Sequence, residues 1–395
     1  MSGQPPTPSD PIIVAARRTP IGRAGGCLKT LPVEALLAPV LRSLLQDANL
    51  APERVNDVVI GNAVGPGGNP ARLALLATGL PMTVPGLTID RQCGSGLAAI
   101  NLAARLIQAG AGEVYIAGGV ESVSTAPWRV EKPRSLHELP RFAHRARFAP
   151  EALGDPDMGP AAEAIAQTFG ISRDRQDDYA LSSHQKAVHA QREGRFTDEI
   201  VPVALSSTTV IDTDECPRPT LTRQRLQRLP PAFAPDGTVT VGNACPINDG
   251  AAAALILSRR LFEQHGFTQG LRVVDAVAVG VAPSLPGLGP VAAVEALLAR
   301  QPGLALQDIE RIEFNEAFAA QVLACVDRLA LDPSRINVAG GAIALGHPYG
   351  ASGAILVTRL FRLLKYGSSG ALGLATIGIG GGLGIATLVE QVGPP

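Results

Sequence analysis

The sequence predicts an α/β protein made of two similar halves with a loop domain between them, and three observations carry that expectation. Short apolar runs of strand character alternate with stretches of helical spacing over the first 121 residues and again from about residue 246. Each of these regions holds a glycine-rich turn opening an apolar helix, QCGSGLAAI at 92–100 and GHPYGASGAILVT at 346–358, as duplication of one unit would produce. The segment between them breaks the rhythm with prolines and charges. The expected divisions are 1–121 for the N-terminal half, 122–245 for the loop domain with a return to the N-terminal half near 246–265, and 266–395 for the C-terminal half.

In chain order, PIIVAARRTP is a β-branched run stopped by proline, PVEALLAPVLRSLLQDANL has helical spacing, and VNDVVIGNAV reads as a buried strand ending in glycine. A helix follows Cys93 to about Gly110, and EVYIAGGVES is a strand running into a glycine turn. This alternation predicts a mostly parallel sheet covered on both faces. The loop domain has one well-marked helical region, 160–194. Beyond it, DGAAAALILS, LRVVDAVAVG, GPVAAVEALLARQ, IERIEFNEAFAAQVLACVDRLA, SGAILVTRLFRLLKYG and ALGLATIGIGGGLGIATLVE continue the alternation. A site between the two halves is the expectation for such an arrangement.

Composition narrows the functions open to the chain. Of its 395 residues 46% are hydrophobic and 17% charged, so much of it is interior or interface and an oligomer is expected. A formal net charge of −1 provides no basic field for nucleic acid. The densest cationic stretch, RFAHRARF at 141–148, reads as a solvated loop. The N-terminal MSGQPPTPSDP lacks the pattern of a secretory signal, and no apolar stretch is long enough to span a membrane, so a soluble, cytoplasmic protein is expected. Cys27, Cys93, Cys216, Cys245 and Cys325 are odd in number and scattered, without a C-x-x-C pair, which fits free thiols and no metal site.

Cys93 is a candidate nucleophile, because the first turn of a helix favours a thiolate and its small neighbours let a carbonyl approach. The same residue also fits a packed core thiol. Of six histidines, His137, His144, His184, His189 and His265 stand in polar surroundings and are expected to face solvent. His347 is flanked by glycines, which bury little area but admit a ligand. Asn315 and Glu316 interrupt an apolar strand-to-helix transition, either as a helix cap or to orient a water.

RQCGSG, AGGVES, GNACPINDGAAA, NEAFAAQ, GGAIALGHPYGASG and GIGGGLG occur in the order and spacing of the thiolases, and the chain resembles that family from Ile12 to Glu390. The resemblance implies a five-layered αβαβα sandwich of two similar halves plus a loop domain, assembled as a homodimer or homotetramer. It implies an acyltransferase that needs no cofactor and takes an acyl-CoA or acyl carrier protein thioester. Cys93 would be acylated, His347 would accept the thiol proton, Asn315 would hold a water in one oxyanion hole, and the N–H groups of Cys93 and Gly380 would form the other. Met158, Cys245 and Phe318 would line the substrate.

The departures from the family pattern are equally specific. Thiolases carry a second cysteine in a pattern like A-T-L-C-I-G-G-G; this chain reads ATIGIGGG, with Gly378 at that position. Asp157 replaces the histidine of H-M-G, Pro230 the arginine of L-R-P-A-F, and Cys245 the serine of G-N-A-S. Condensation and thiolysis are therefore expected to be impaired and attraction for the CoA nucleotide weakened. The alternatives are an ordinary acetyl-CoA acetyltransferase using another base and a non-catalytic thiolase-fold subunit.

Overall fold

The computed structural model describes residues 6–393; the first five residues of the polar N-terminal stretch and the last two of the chain lie outside them. The N-terminal half comprises β1 (Pro11–Arg18), α1 (Val33–Asp47), β2 (Asp57–Gly61), α2 (Pro70–Thr78), β3 (Gly86–Ile89), α3 (Ser95–Gln108) and β4 (Val114–Glu121). The intervening segment holds α4 (Met158–Thr168) and α5 (Arg173–Arg192), so the single helical region expected there is two helices, separated at Phe169–Gly170 where Gly170 takes φ +62°. β5 (Asn248–Ser258) returns to the first half. β6 (Gly270–Gly280), α6 (Gly289–Ala299), β7 (Ile309–Phe314), α7 (Ala319–Leu329), α8 (Tyr349–Leu364), β8 (Leu372–Ile379) and β9 (Leu383–Val392) form the second.

The strands pair in the order β7-β8-β9-β6-β1-β5-β4-β2-β3, with the two-residue strand Gly22–Arg23 beside β5. The expectation of a mostly parallel sheet is corrected by the pairing. Only β2–β3, β2–β4 and β7–β8 are parallel, whereas β1–β5, β4–β5, β6–β9, β8–β9 and the central β1–β6 contact are antiparallel. Alternation in sequence places helices between strands, but β9 follows β8 through a tight turn and β5 returns only after the long 122–247 segment, and both run opposite to their neighbours. The two halves repeat one plan, β1-β5-β4-β2 matching β6-β9-β8-β7, and an isolated bridge Ile312–Ile336 stands where β3 lies in the first.

Side-chain alternation divides the interior into layers. On β5, Ala252, Ala254 and Ile256 join one core with α3 and α8, while Ala251, Ala253, Leu255 and Leu257 join another with α1 and α2. On β8, Ala375, Ile377 and Ile379 face the shared central core and Leu372 and Leu374 face α6 and α7. The order is thus helix, half-sheet, α3 with α8, half-sheet, helix, the five layers expected. Because α8 is wrapped on all sides, nearly every residue of it is buried, including the polar pair Thr358 and Arg359 inside it. Gly96 lets the two central helices touch: a Cβ there would meet the Gly350 carbonyl oxygen at 2.6 Å.

The segment from 122 to 247 is pinned to this frame by a buried ion network. Arg18 pairs with Glu199 at 2.8 Å and Asp214 at 2.7 Å, and Arg359 of α8 reaches Glu199 at 3.0 Å. The expected solvated loop 141–148 is part of this cover. Arg145 is held by Asp155 and Asp157 and stacks on Phe148, and the Phe148 ring lies against Gly380. No helix among the described residues is long and apolar enough to cross a membrane.

Candidate active site

Cys93 lies one residue before the capping residue of α3, Gly94, rather than inside its first turn. A tight corner presents it. Gln92 sits at φ +45°, a left-handed conformation that costs a non-glycine residue roughly 1 kcal/mol. Asp90 accepts the Gln92 N–H at 2.7 Å, and the Ser95 hydroxyl donates to the Gln92 carbonyl at 2.6 Å while accepting the Arg91 N–H. Burial pushes the Cys93 thiol up to about 12, while the backbone N–H groups of Gly380 and of Cys93 itself pull it down. The free thiol is therefore protonated at neutral pH, against the expectation that the helix terminus would favour a thiolate. Those two N–H groups are the pair expected to form an oxyanion hole, and both act on the thiol.

His347 is 2% exposed and fixed on three sides. Asn248 accepts its backbone N–H at 2.9 Å, Ile247 forms a β-bridge with it, and its Nδ1 lies 2.5 Å from Ser352 Oγ in the first turn of α8. Gly346 precedes it at φ +116°, where a Cβ would strike the Asn248 side chain. Burial lowers the imidazole to about 4, so it is neutral at working pH. With Nδ1–H donating to Ser352, Nε2 is left as the open base.

Asn315 and Glu316 have separate fates. Both are buried, but Glu316 accepts from Tyr179, Ser183, Asn337 and the Ile343 N–H, tying α5 to the 337–343 loop. Asn315 Nδ2 has no hydrogen-bond partner among the described residues. Cys245 lies on the strap connecting these groups: its N–H donates to the Ala317 carbonyl, Ala244 bridges Phe318, and Ile247 bridges His347. Burial, then the neighbouring Cys93, raises its thiol, so the two sulfurs are within electrostatic reach. Met158 and Phe318 line one cavity of about 20 Å³ together with Gly378 and Gln321.

The structure brings Cys93, Gly380 and Cys245 into one electrostatic neighbourhood, and the 243–248 strap links Phe318 to His347. It corrects His184, expected at the surface: it is 5% exposed, accepts the Arg218 N–H at 3.2 Å, and is lowered by burial to about 4. Sequence reasoning gave no role to Ser352, Asn248 or Gln321. Ser352 and Gln321 stood within the GASG and NEAFAAQ motifs, five residues after the histidine and six after the asparagine, and only their partners reveal them. No group of three or more His, Cys, Asp or Glu residues suited to a metal ion occurs among the described residues.

A sheet of two repeated halves, with a cysteine at one central helix and a histidine at the other, defines the class: the chain belongs to the thiolase family and is an acyltransferase. The model of the thiolase N-terminal domain matches residues 11–260 and that of the C-terminal domain residues 268–391. Among curated relatives, the "Putative acetyl-CoA C-acetyltransferase VraB" of Staphylococcus haemolyticus is 49% identical over 96% of this chain and 98% of its own length, and its Staphylococcus aureus (strain MRSA252) counterpart 47% identical over 96% and 99%. The crystal structure of the Bacillus anthracis acetyl-CoA acetyltransferase superposes with a TM-score of 0.90 at 36% identity, covering 97% of this chain and 99% of that one.

Proposed function

We propose that the protein forms an acyl-enzyme thioester on Cys93 from a CoA or pantetheine thioester. His347 Nε2 takes the thiol proton as sulfur attacks the carbonyl, and returns it to the departing CoA thiol. The backbone N–H groups of Cys93 and Gly380, both of which act on the Cys93 thiol, carry this reading, as donors available to an oxyanion formed on that sulfur's acyl carbon. The unpartnered Nδ2 of Asn315 suits a water in a second hole. The names of the relatives support acetyl-CoA as the acyl donor. Exposed Leu73, Leu76 and Met82, beside the edge strand β3 with Leu87, support a homodimer or homotetramer.

Gly378 offers no proton acceptor for an α-carbon, so carbon–carbon condensation and thiolysis are slow in this reading. The second reading, an ordinary acetyl-CoA acetyltransferase, is favoured by the relatives' names. One experiment separates them. Intact mass after incubation with acetyl-CoA should show a single acetyl group, lost in Cys93→Ala, while thiolysis of acetoacetyl-CoA should run about 10²–10⁴-fold below ordinary acid–base catalysis. Gly378→Cys should recover part of it. Efficient thiolysis by the unaltered protein would establish the second reading, and absence of acylation would end both.

A further inference from the structure

We propose that the space beside Gly378 holds a water positioned by Gln321, and that this water hydrolyses the Cys93 acyl-enzyme, making the protein an acyl-thioester hydrolase. Gln321 is 3% exposed, yet both Nε2 and Oε1 lack any hydrogen-bond partner among the described residues. Leaving both polar ends of a buried amide unsatisfied is costly, so a partner is required. The amide faces the cavity it shares with Met158, Phe318 and Gly378, whose remaining lining is largely alkyl. A Cβ on Gly378 would lie 3.1 Å from Gln321 Nε2, 3.3 Å from Pro290 Cδ and 3.6 Å from the Pro286 carbonyl oxygen. The cavity of about 20 Å³ accommodates one water, and Nε2, Oε1 and the Pro286 carbonyl supply the two to four partners an internal water needs.

The position suits attack on an acyl group. Gly378 is followed by Ile379, whose side chain lies 2.4 Å from the place a Cβ on Gly94, one residue beyond Cys93, would take, and then by Gly380, whose backbone N–H acts on the Cys93 thiol. In this proposal an acyl carbon on that sulfur stands between the sulfur and the water beside Gly378. The water oxygen forms the new C–O bond, the C–S bond to Cys93 breaks, one water proton ends on the sulfur, and the carboxylic acid leaves. Water is the sole co-reactant.

This inference rests on the acyl-enzyme reading, and the test keeps the two apart. The protein is mixed with acetyl-CoA in H₂¹⁸O, and Cys93 acetylation by intact mass is followed alongside free acetate. We expect acetylation, then continuous acetate release with ¹⁸O in the product. Gln321→Leu should slow deacylation at least about tenfold, measured on the preformed acetyl-enzyme. Gly378→Ala, which fills the water's place with a methyl group, should do the same, and serves if the first variant misfolds. An acetyl-enzyme stable in water, or deacylation at the unaltered rate in both variants, overturns hydrolysis while leaving acylation standing. Failure to acylate Cys93 overturns both.

Discussion

His347 Nδ1 lies 2.5 Å from Ser352 Oγ, and this contact holds the ring plane of the base. The two residues flank the entrance of α8, so the helix start itself orients the imidazole. Ser352→Ala should slow Cys93 acylation by about tenfold to a hundredfold, less than the 10²–10⁴-fold expected for His347→Ala. Stopped-flow release of CoA measures both. An unchanged rate in Ser352→Ala would show that the strap at Asn248 alone sets the ring.

Asn315 and Glu316 are neighbours with opposite expected phenotypes. Asn315→Ala removes a donor that pairs with no described residue, so acylation should fall about tenfold or more with little change in unfolding free energy. Glu316→Ala strips an acceptor from four donors and should destabilise the fold by about 3 kcal/mol or more. Denaturant midpoints and acylation rates on the same pair of variants decide it, and a large stability loss in Asn315→Ala would contradict the assignment.

Acid should destabilise the protein in a defined window. His184 and His347 are both held near 4 by burial, below the unfolded value of about 6.5, so between those values the unfolded chain binds more protons. Their contribution is fully present above about 6.5 and is lost as the pH falls towards 4, by up to about 3 kcal/mol for each imidazole. His184→Gln should flatten this part of the denaturant midpoint against pH. A variant that tracks the parent through the whole window would remove His184 from the titration.

Arg145 is committed to Asp155 and Asp157, and Pro230 stands where the family resemblance expects an arginine. Acetyl-CoA and acetyl-pantetheine should therefore acylate Cys93 with kcat/KM values within about tenfold of each other, with a weak dependence on ionic strength. A strong preference that vanishes on removing the 3′-phosphate would show that another cation has taken over.

Most of the fold was legible because burial on one or both faces leaves a period in the sequence. β1, α1, β2, α3 and β4 fall where the apolar spacing put them. Strand direction was not legible, since β5 and β9 carry the same apolar pattern whichever way they run. His347 stood out through its flanking glycines, which mark close approach, Cys93 through its place at a helix entrance, and Gly380 only through the family resemblance. Ser352 and Gln321 did not, because a single polar residue in an apolar helix looks the same in sequence whether its side chain is satisfied locally or faces a site. The thiol's elevated proton affinity was also hidden: it follows from burial, which the helix-entrance pattern does not encode.

The shared central layer makes the duplicated plan inseparable. α3 belongs in sequence to one half and α8 to the other, yet each is covered by both half-sheets and they meet at Gly96 and Gly350. A chain cut near residue 265 would leave either fragment with a bare sheet face and a helix apolar on its unclothed side. The two pieces are therefore expected to aggregate apart and to complement when co-expressed. Cooperative unfolding should span the whole chain in one transition. Exchange of one half between relatives will succeed only where both helices are inherited as a matched pair, so the unit of recombination here is a contact surface rather than a stretch of sequence.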